Sequence, residues 1–334
     1  MSSARRPSGR GRGPAPPASS VADEAPRPRW QQALVGSRGV ARLEPGHAVL
    51  QGFVQPEESA AIMRWLAGIH PLREWRRAGS AGRMLLRPVY WLGAWQFACL
   101  DYYRPPRATR DACLRAEAHP PPLARVVERI EQEIQNRLPR EHVPRGWRLN
   151  TALINFYGSR FADGRWIDVA RVGDHRDFEP GPVASISFGE KALLQFVEPG
   201  RRGERSAVVH EVWLEDRALQ IIAGPLWKDR LLHRVQRVAR SATADLPPAI
   251  EDFRTRRVNF TLRWVPERDI QRLDELSEQA RAAVRGYVEE LARHSTHFRG
   301  ELTRLPVVSP GVSPLAAGEA RAGRPVRRGP GPAG

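Results

Sequence analysis

Hydrophobic and polar positions divide this chain into segments of different period. In "QGFVQPEESAAIMRWLAG", Gln51 to Gly68, an apolar strand end gives way to helical spacing, with Pro56 in the first turn and Glu57 and Glu58 after it. A second helix is predicted over Pro121 to Leu138, where Leu123, Val126, Val127, Ile130, Ile134 and Leu138 form one stripe. From about 149 to 265 the texture changes to short strands: "TALINFY", "PVASISF", "ALLQFV", "SAVVHEVWL", "ALQIIAG", "RLLHRVQRV" and "RRVNFTLRWV". Many short strands at close spacing predict an antiparallel sandwich or barrel. Beyond them, "ERDIQRLDELSEQARAAVRGYVEELARH" predicts a long closing amphipathic helix over about 267–294.

The last strand raises a chemical question. From Arg257 onward it alternates strictly, with Val258, Phe260, Leu262 and Trp264 on one side and Arg257, Asn259, Thr261 and Arg263 on the other. The apolar side packs on a core. The polar side has an ordinary explanation as the wet face of an antiparallel strand. Two guanidinium groups six residues apart also suit a dicarboxylate, which each can grip bidentately.

Composition narrows the class of protein. The 334 residues and 37.5 kDa, 41% hydrophobic, suffice for a sizeable core. Residues 1–30 and 298–334 are rich in Pro, Gly and Arg and poor in large apolar residues, so both are expected to be disordered arms around a domain over 31–297. The net charge is +16, and each end holds six Arg against two acids, which leaves the body basic as well. A basic body with basic arms favours a polyanionic partner such as nucleic acid. Cys99 and Cys113 give no disulfide framework. No apolar run reaches membrane-spanning length and no signal-peptide core is present, so a cytoplasmic monomer off the membrane is expected.

The candidate chemistry centres on "GDHRDFEP". His175 and Asp177 are two apart, so on an extended segment both point the same way and can chelate one metal ion. His233, in "RLLHRVQRV", is the third candidate ligand, because two His and a carboxylate on one face suit a non-haem Fe(II) oxygenase. A solvated turn and a core histidine would explain the same residues. Asn155 and Tyr157 share a face in "LINFY" and add an amide and a phenol to the pocket; a strand-end cap and a core tyrosine are their alternatives.

Together, "ALINFYGSRFADG…GDHRDFEPGPVASISFG…LLQF…LLHRV…RRVNFTLRW" resembles the AlkB branch of the 2-oxoglutarate- and Fe(II)-dependent dioxygenases, over about 149–265 and more weakly from Gly52. The resemblance implies an α+β fold with a double-stranded β-helix (jelly-roll) core flanked by helices. It implies Fe(II) at His175, Asp177 and His233. It also implies 2-oxoglutarate held by Asn155, Tyr157, Arg257, Asn259 and Arg263, with the first Arg on the distal carboxylate and the last near the carboxylate at the iron. The implied reaction oxidises 2-oxoglutarate to succinate and carbon dioxide while hydroxylating a substrate C–H bond; an N-methyl group then leaves as formaldehyde. The expected substrate is an alkylated nucleobase in DNA or RNA. A methylated protein is the alternative, and a non-catalytic nucleic-acid-binding protein a third reading.

Two departures from the family pattern stand out: a longer segment between His233 and Arg257, expected to form a surface loop, and Glu179 as the acid two places after Asp177, a candidate base contact. Ahead of the core, Trp75, Tyr90, Trp91 and Trp95 are candidates to stack on an extruded base, although core packing is the ordinary role of each. Arg76, Arg77, Arg83 and Arg87 would lie near phosphates.

Overall fold

The computed structural model describes residues 46–76, 83–96, 113–200, 207–238 and 244–305. The first strands in the chain are β1 (His47–Leu50), β2 (Trp75–Arg76), β3 (Arg83–Met84), β4 (Val89–Leu92), β5 (Ala94–Trp95) and β6 (Leu114–Arg115), of which β1 and β4 join the larger core sheet. The core strands follow as β7 (Thr151–Ala162), β8 (Arg165–Asp168), β9 (Val172–His175), β10 (Val183–Gly189) and β11 (Ala192–Val197). Then come β12 (Val208–Leu214), β13 (Leu219–Ile222), β14 (Leu232–Val238) and β15 (Phe253–Arg263). Four α-helices are described: α1 (Pro56–Leu66), α2 (Pro121–Arg137), α3 (Glu278–Ala292) and α4 (Thr296–Thr303).

The core is two antiparallel sheets. The larger runs β1-β13-β10-β15-β7-β4, with β8 added beside β7; the smaller runs β12-β11-β14-β9. Strands consecutive in sequence alternate between sheets, β9 in the smaller, β10 in the larger, β11 and β12 back in the smaller and β13 in the larger, which is the winding of a jelly roll. Mixed helices and two antiparallel sheets match the expected fold class.

The helices follow from their sequences. In α1, Pro56 opens the first turn, and Glu58 accepts from the Gln55 backbone N–H to satisfy an orphan donor. In α2 the stripe Leu123, Val126, Val127, Ile130 and Ile134 is buried in the same apolar cluster as Phe156, Val258, Phe260 and Leu262. The alternating side of β15 therefore meets the core as its period requires.

The expected closing helix is shorter than its pattern suggested. Glu267–Asp269 and Leu273–Glu275 form single tight turns, and α3 starts after Ser277, whose hydroxyl accepts from the Ala280 N–H at 3.2 Å. Leu273 is drawn out of any continuous helix because its N–H is taken by buried Glu301 at 3.0 Å. Ordered structure also passes residue 297: Phe298 is fully buried in α4 and packs edge-on against Trp95 at 5.7 Å. The long segment before β15 is not wholly a free loop, since Leu246 and Ile250 pack on the core. The N-terminal arm and residues 306–334 lie outside the described residues.

One irregularity sets the inward face of β15. The register of β15 against β7 shifts between Thr255 and Arg257, a bulge opposite Gly158. A Cβ on Gly158 would lie 1.8 Å from the Arg254 carbonyl oxygen, so only glycine lets the two backbones approach there. Gly158→Ala should cost about 1–3 kcal/mol of stability, read by guanidinium denaturation, and an unchanged midpoint would contradict this close approach.

Candidate active site

The space between the sheets is a cavity of about 600 Å³. The smaller sheet contributes the metal candidates. His175 ends β9 directly opposite His233 on β14, and their ring centroids are 4.2 Å apart. Asp177 follows two residues later, with Oδ2 3.5 Å from His233 Nε2. Its other oxygen, Oδ1, accepts from Arg263 Nη2 at 2.6 Å. Arg263 thus leaves Asp177 one oxygen turned towards the histidines, the usual outer support of a ligating carboxylate. His175 Nδ1–H donates to the Gly173 carbonyl at 2.8 Å, which leaves Nε2 as the ligating nitrogen. The three donor atoms do not all fall within 4.8 Å of one another. His175 Cα is fixed by its pairing with His233, so rotation of its side chain is what would close the set.

The electrostatics favour cation binding. Burial alone would raise the Asp177 pKa, but Arg263, His233, His175 and Lys228 hold it well below the usual carboxylate range. Burial, reinforced by His175, pushes His233 down to about 3, and burial lowers His175 too. Near neutral pH the group presents two neutral imidazoles and one carboxylate, the protonation states a metal ion requires.

The larger sheet supplies a separate anion clamp. Across the β15 register, Arg257 stands opposite Tyr157 and Asn259 opposite Asn155; on the other flank Asn259 faces Ser187 of β10. Arg257 is 1% exposed; its Nη2 donates to Ser187 Oγ at 2.8 Å, and the Tyr157 side chain also hydrogen-bonds the guanidinium. Its Nε and Nη1 are buried without a hydrogen-bond partner, and its guanidinium lies 5.1 Å from the Tyr157 ring centre. A buried guanidinium with orphan donors is costly and calls for an anionic ligand. Arg87 completes this wall, donating to Asn155 Oδ1 at 2.7 Å.

The 2OG-Fe(II) oxygenase superfamily model matches residues 46–263, well over half of the chain. The chain belongs to that superfamily. Its members use Fe(II) and 2-oxoglutarate, and this oxygenase carries residues that fit both. The His175, Asp177 and His233 donors suit a facial site, and the orphan donors of Arg257 suit the distal carboxylate of a 2-oxo dicarboxylic acid. Among solved structures, the one described as "The structure of OsALKBH1" is similar at 21% identity over 66% of this chain and 99% of that chain, with a TM-score of 0.44. No curated sequence matches the chain.

Every metal and co-substrate candidate read from the sequence lines the one cavity, as does Glu179. Glu179 is buried, with Oε1 accepting from Gln96 at 2.8 Å and 3.5 Å from Arg263. The aromatic candidates divide differently. Trp91 and Trp95 are fully buried in the core and line none of the cavity, because Trp91 Nε1 is tied to buried Glu74 at 2.9 Å and Trp95 packs on Phe298. Neither is placed to stack on a substrate. Tyr90 is likewise buried, Trp75 stays partly exposed, and Arg87 serves the cavity wall rather than an outer surface. Arg77 lies outside the described residues.

Sequence reasoning missed Lys228. Its buried ammonium donates to the backbone carbonyls of Asp177, at 3.3 Å, and of Glu179, pinning the ligand segment from below. The chain has only two lysines against a large excess of arginine, and that was the available signal. Also missed was the aromatic nest behind His233: Phe196 at 6.2 Å, with His47 4.8 Å from Phe196. His47 is lowered to about 3 by burial, with His210 and His233 adding to the effect.

These depressed histidines fix a sign for the pH dependence. His47 and His233 stay neutral when folded but take up protons near pH 6.5 when unfolded, so acid favours the unfolded chain. Metal-free protein should lose about 2 kcal/mol for each of the two between pH 7 and pH 5, measured by denaturant titration. A flat profile over that window would contradict the burial of these rings.

Proposed function

We propose that this oxygenase removes alkyl groups from nucleobases in DNA or RNA by oxidation. Fe(II) would be held by His175, Asp177 and His233. The 2-oxoglutarate would be clamped by Arg257 with Asn155, Tyr157 and Asn259, and Arg263 would support both Asp177 and the co-substrate. The observation that carries the substrate reading is the mouth of the cavity. Phe178, between Asp177 and Glu179, exposes 45% of its surface there, Leu86 exposes 56%, and the exposed Arg171 also lines the cavity. A flat apolar platform beside a guanidinium suits a heterocycle attached to a phosphate. The Arg-x-Asn-x-Thr-x-Arg pattern at Arg257, Asn259, Thr261 and Arg263, similar to the AlkB branch, and the basic charge support the same reading.

Iron and oxygen supply the oxidising power when bound. The chain's part is positional: it fixes the co-substrate, holds a carboxylate ionised and keeps the reacting carbon in a partly enclosed space. Glu179 Oε2, buried at the cavity without a hydrogen-bond partner, offers an acceptor for an exocyclic amine of the base.

With Fe(II) and 2-oxoglutarate, the protein should release formaldehyde from N-methylated single-stranded DNA or RNA, and Asp177→Ala should reduce this at least about 1000-fold. Formaldehyde from methylated peptides alone would replace the nucleic-acid reading with a protein substrate. Phe178→Ala should lower kcat/KM for nucleic acid about tenfold, the worth of one stacking contact, while leaving the affinity for 2-oxoglutarate unchanged by calorimetry. An unaffected kcat/KM would remove Phe178 from substrate binding.

A further inference from the structure

A second group of ligating side chains lies away from the oxygenase cavity. His70 follows the turn that ends α1; Glu290 sits in the last turn of α3, and His294 lies four residues on. The backbone N–H groups of His294 and Ser295 both bond the Leu291 carbonyl at 2.9 Å, so helical geometry persists far enough to put Glu290 and His294 on one side. Among the described residues, these three form the only group of His, Cys, Asp or Glu whose donor atoms all lie within 4.8 Å of one another.

The detail is that of a ligand set. His70 Nε2 is 3.3 Å and His294 Nε2 4.0 Å from the same oxygen, Glu290 Oε1. The two imidazoles are stacked, with centroids 4.0 Å apart and planes 20° apart. Ligands at about 2.0–2.1 Å from a tetrahedral ion lie about 3.3 Å from one another, with their in-plane lone pairs converging on it, so the stacked rings must swing apart, with His294 moving nearer Glu290 Oε1, for the set to close. Glu290 Oε2 is engaged by Arg293 Nη1 at 2.7 Å, which turns Oε1 towards the rings. A cavity of about 220 Å³ adjoins both histidines and leaves room for a water as the fourth ligand. Glu117, fixed by the Tyr90 hydroxyl at 2.7 Å and by Ser295, faces this cavity and can accept a hydrogen bond from that water.

We propose that His70, Glu290 and His294 form a second metal site that takes a zinc-type divalent cation and clips the end of α1 to the end of α3. Two imidazoles and one carboxylate favour zinc over iron(II) in the general affinity order of divalent metals, and three protein ligands plus water is an open tetrahedral set. None of these residues lines the oxygenase cavity, so the two sites are separate.

The test uses the 334-residue chain without a histidine tag, stripped with chelator and dialysed against micromolar Zn2+, with bound zinc measured by elemental analysis. His70→Ala and His294→Ala should each lose one equivalent relative to the parent, with at least about 100-fold weaker binding at the second site. Both histidines are substantially exposed, with side-chain exposures of 40% and 46%, so neither change empties the core. In a His233→Ala background, which disables the oxygenase site, one equivalent of zinc should remain and raise Tm, and adding His294→Ala should abolish both effects. Unchanged stoichiometry in His70→Ala and His294→Ala, or no zinc-dependent Tm shift in His233→Ala, would overturn the proposal.

Discussion

The site depends on keeping a buried carboxylate charged. Asp177 sits in the low-dielectric space between two sheets, where an isolated carboxylate would take up a proton. Arg263, reaching across from β15, prevents this with one short contact at 2.6 Å. The same contact occupies one carboxylate oxygen and leaves the other facing His233. Lys228 adds a second positive charge, bonded to the backbone carbonyls on either side of Phe178. Charge, orientation and backbone position at this ligand thus come from residues far from it in sequence.

The jelly-roll winding makes that arrangement available. Because successive strands pass from one sheet to the other, imidazoles from β9 and β14 face the guanidinium, amide and phenol groups of β15 and β7 across one cavity. The larger sheet buries its other apolar positions against the helices, and the bulge opposite Gly158 aims Arg257 inward. Buried donors left on Arg257 are a cost in the protein alone and a source of affinity once an anion arrives. The metal candidates and the anion clamp therefore come from opposite sides of the cavity, and Arg263 on β15 links them through Asp177.

Much of this was legible because period two is a strong signal. The strict alternation from Arg257 gave the strand, its apolar face and its polar face, and His175-x-Asp177 gave a pair on one edge. Short β8 and β9 escaped notice, since four-residue strands with exposed positions carry no apolar pattern. The closing helix was overextended because Leu273 and Leu276 keep helical spacing while Glu301 and the Ser277 cap break the backbone pattern. Trp91 and Trp95 show what composition cannot resolve: a tryptophan suited to base stacking is equally suited to core packing, and only the fold chose the latter. Lys228, Gln96 and Ser187 act through three-dimensional contacts that no local spacing encodes.

The most direct measurement is an anomalous-scattering crystal structure of the protein grown anaerobically with Mn2+ and 2-oxoglutarate. The expected map has a peak bonded at about 2.2 Å to His175 Nε2, Asp177 Oδ2 and His233 Nε2, with the His175 side chain rotated inward and the distal carboxylate on Arg257. A fully occupied metal bound elsewhere, with those three side chains still apart, would contradict the shared site on which the oxygenase assignment of these residues stands.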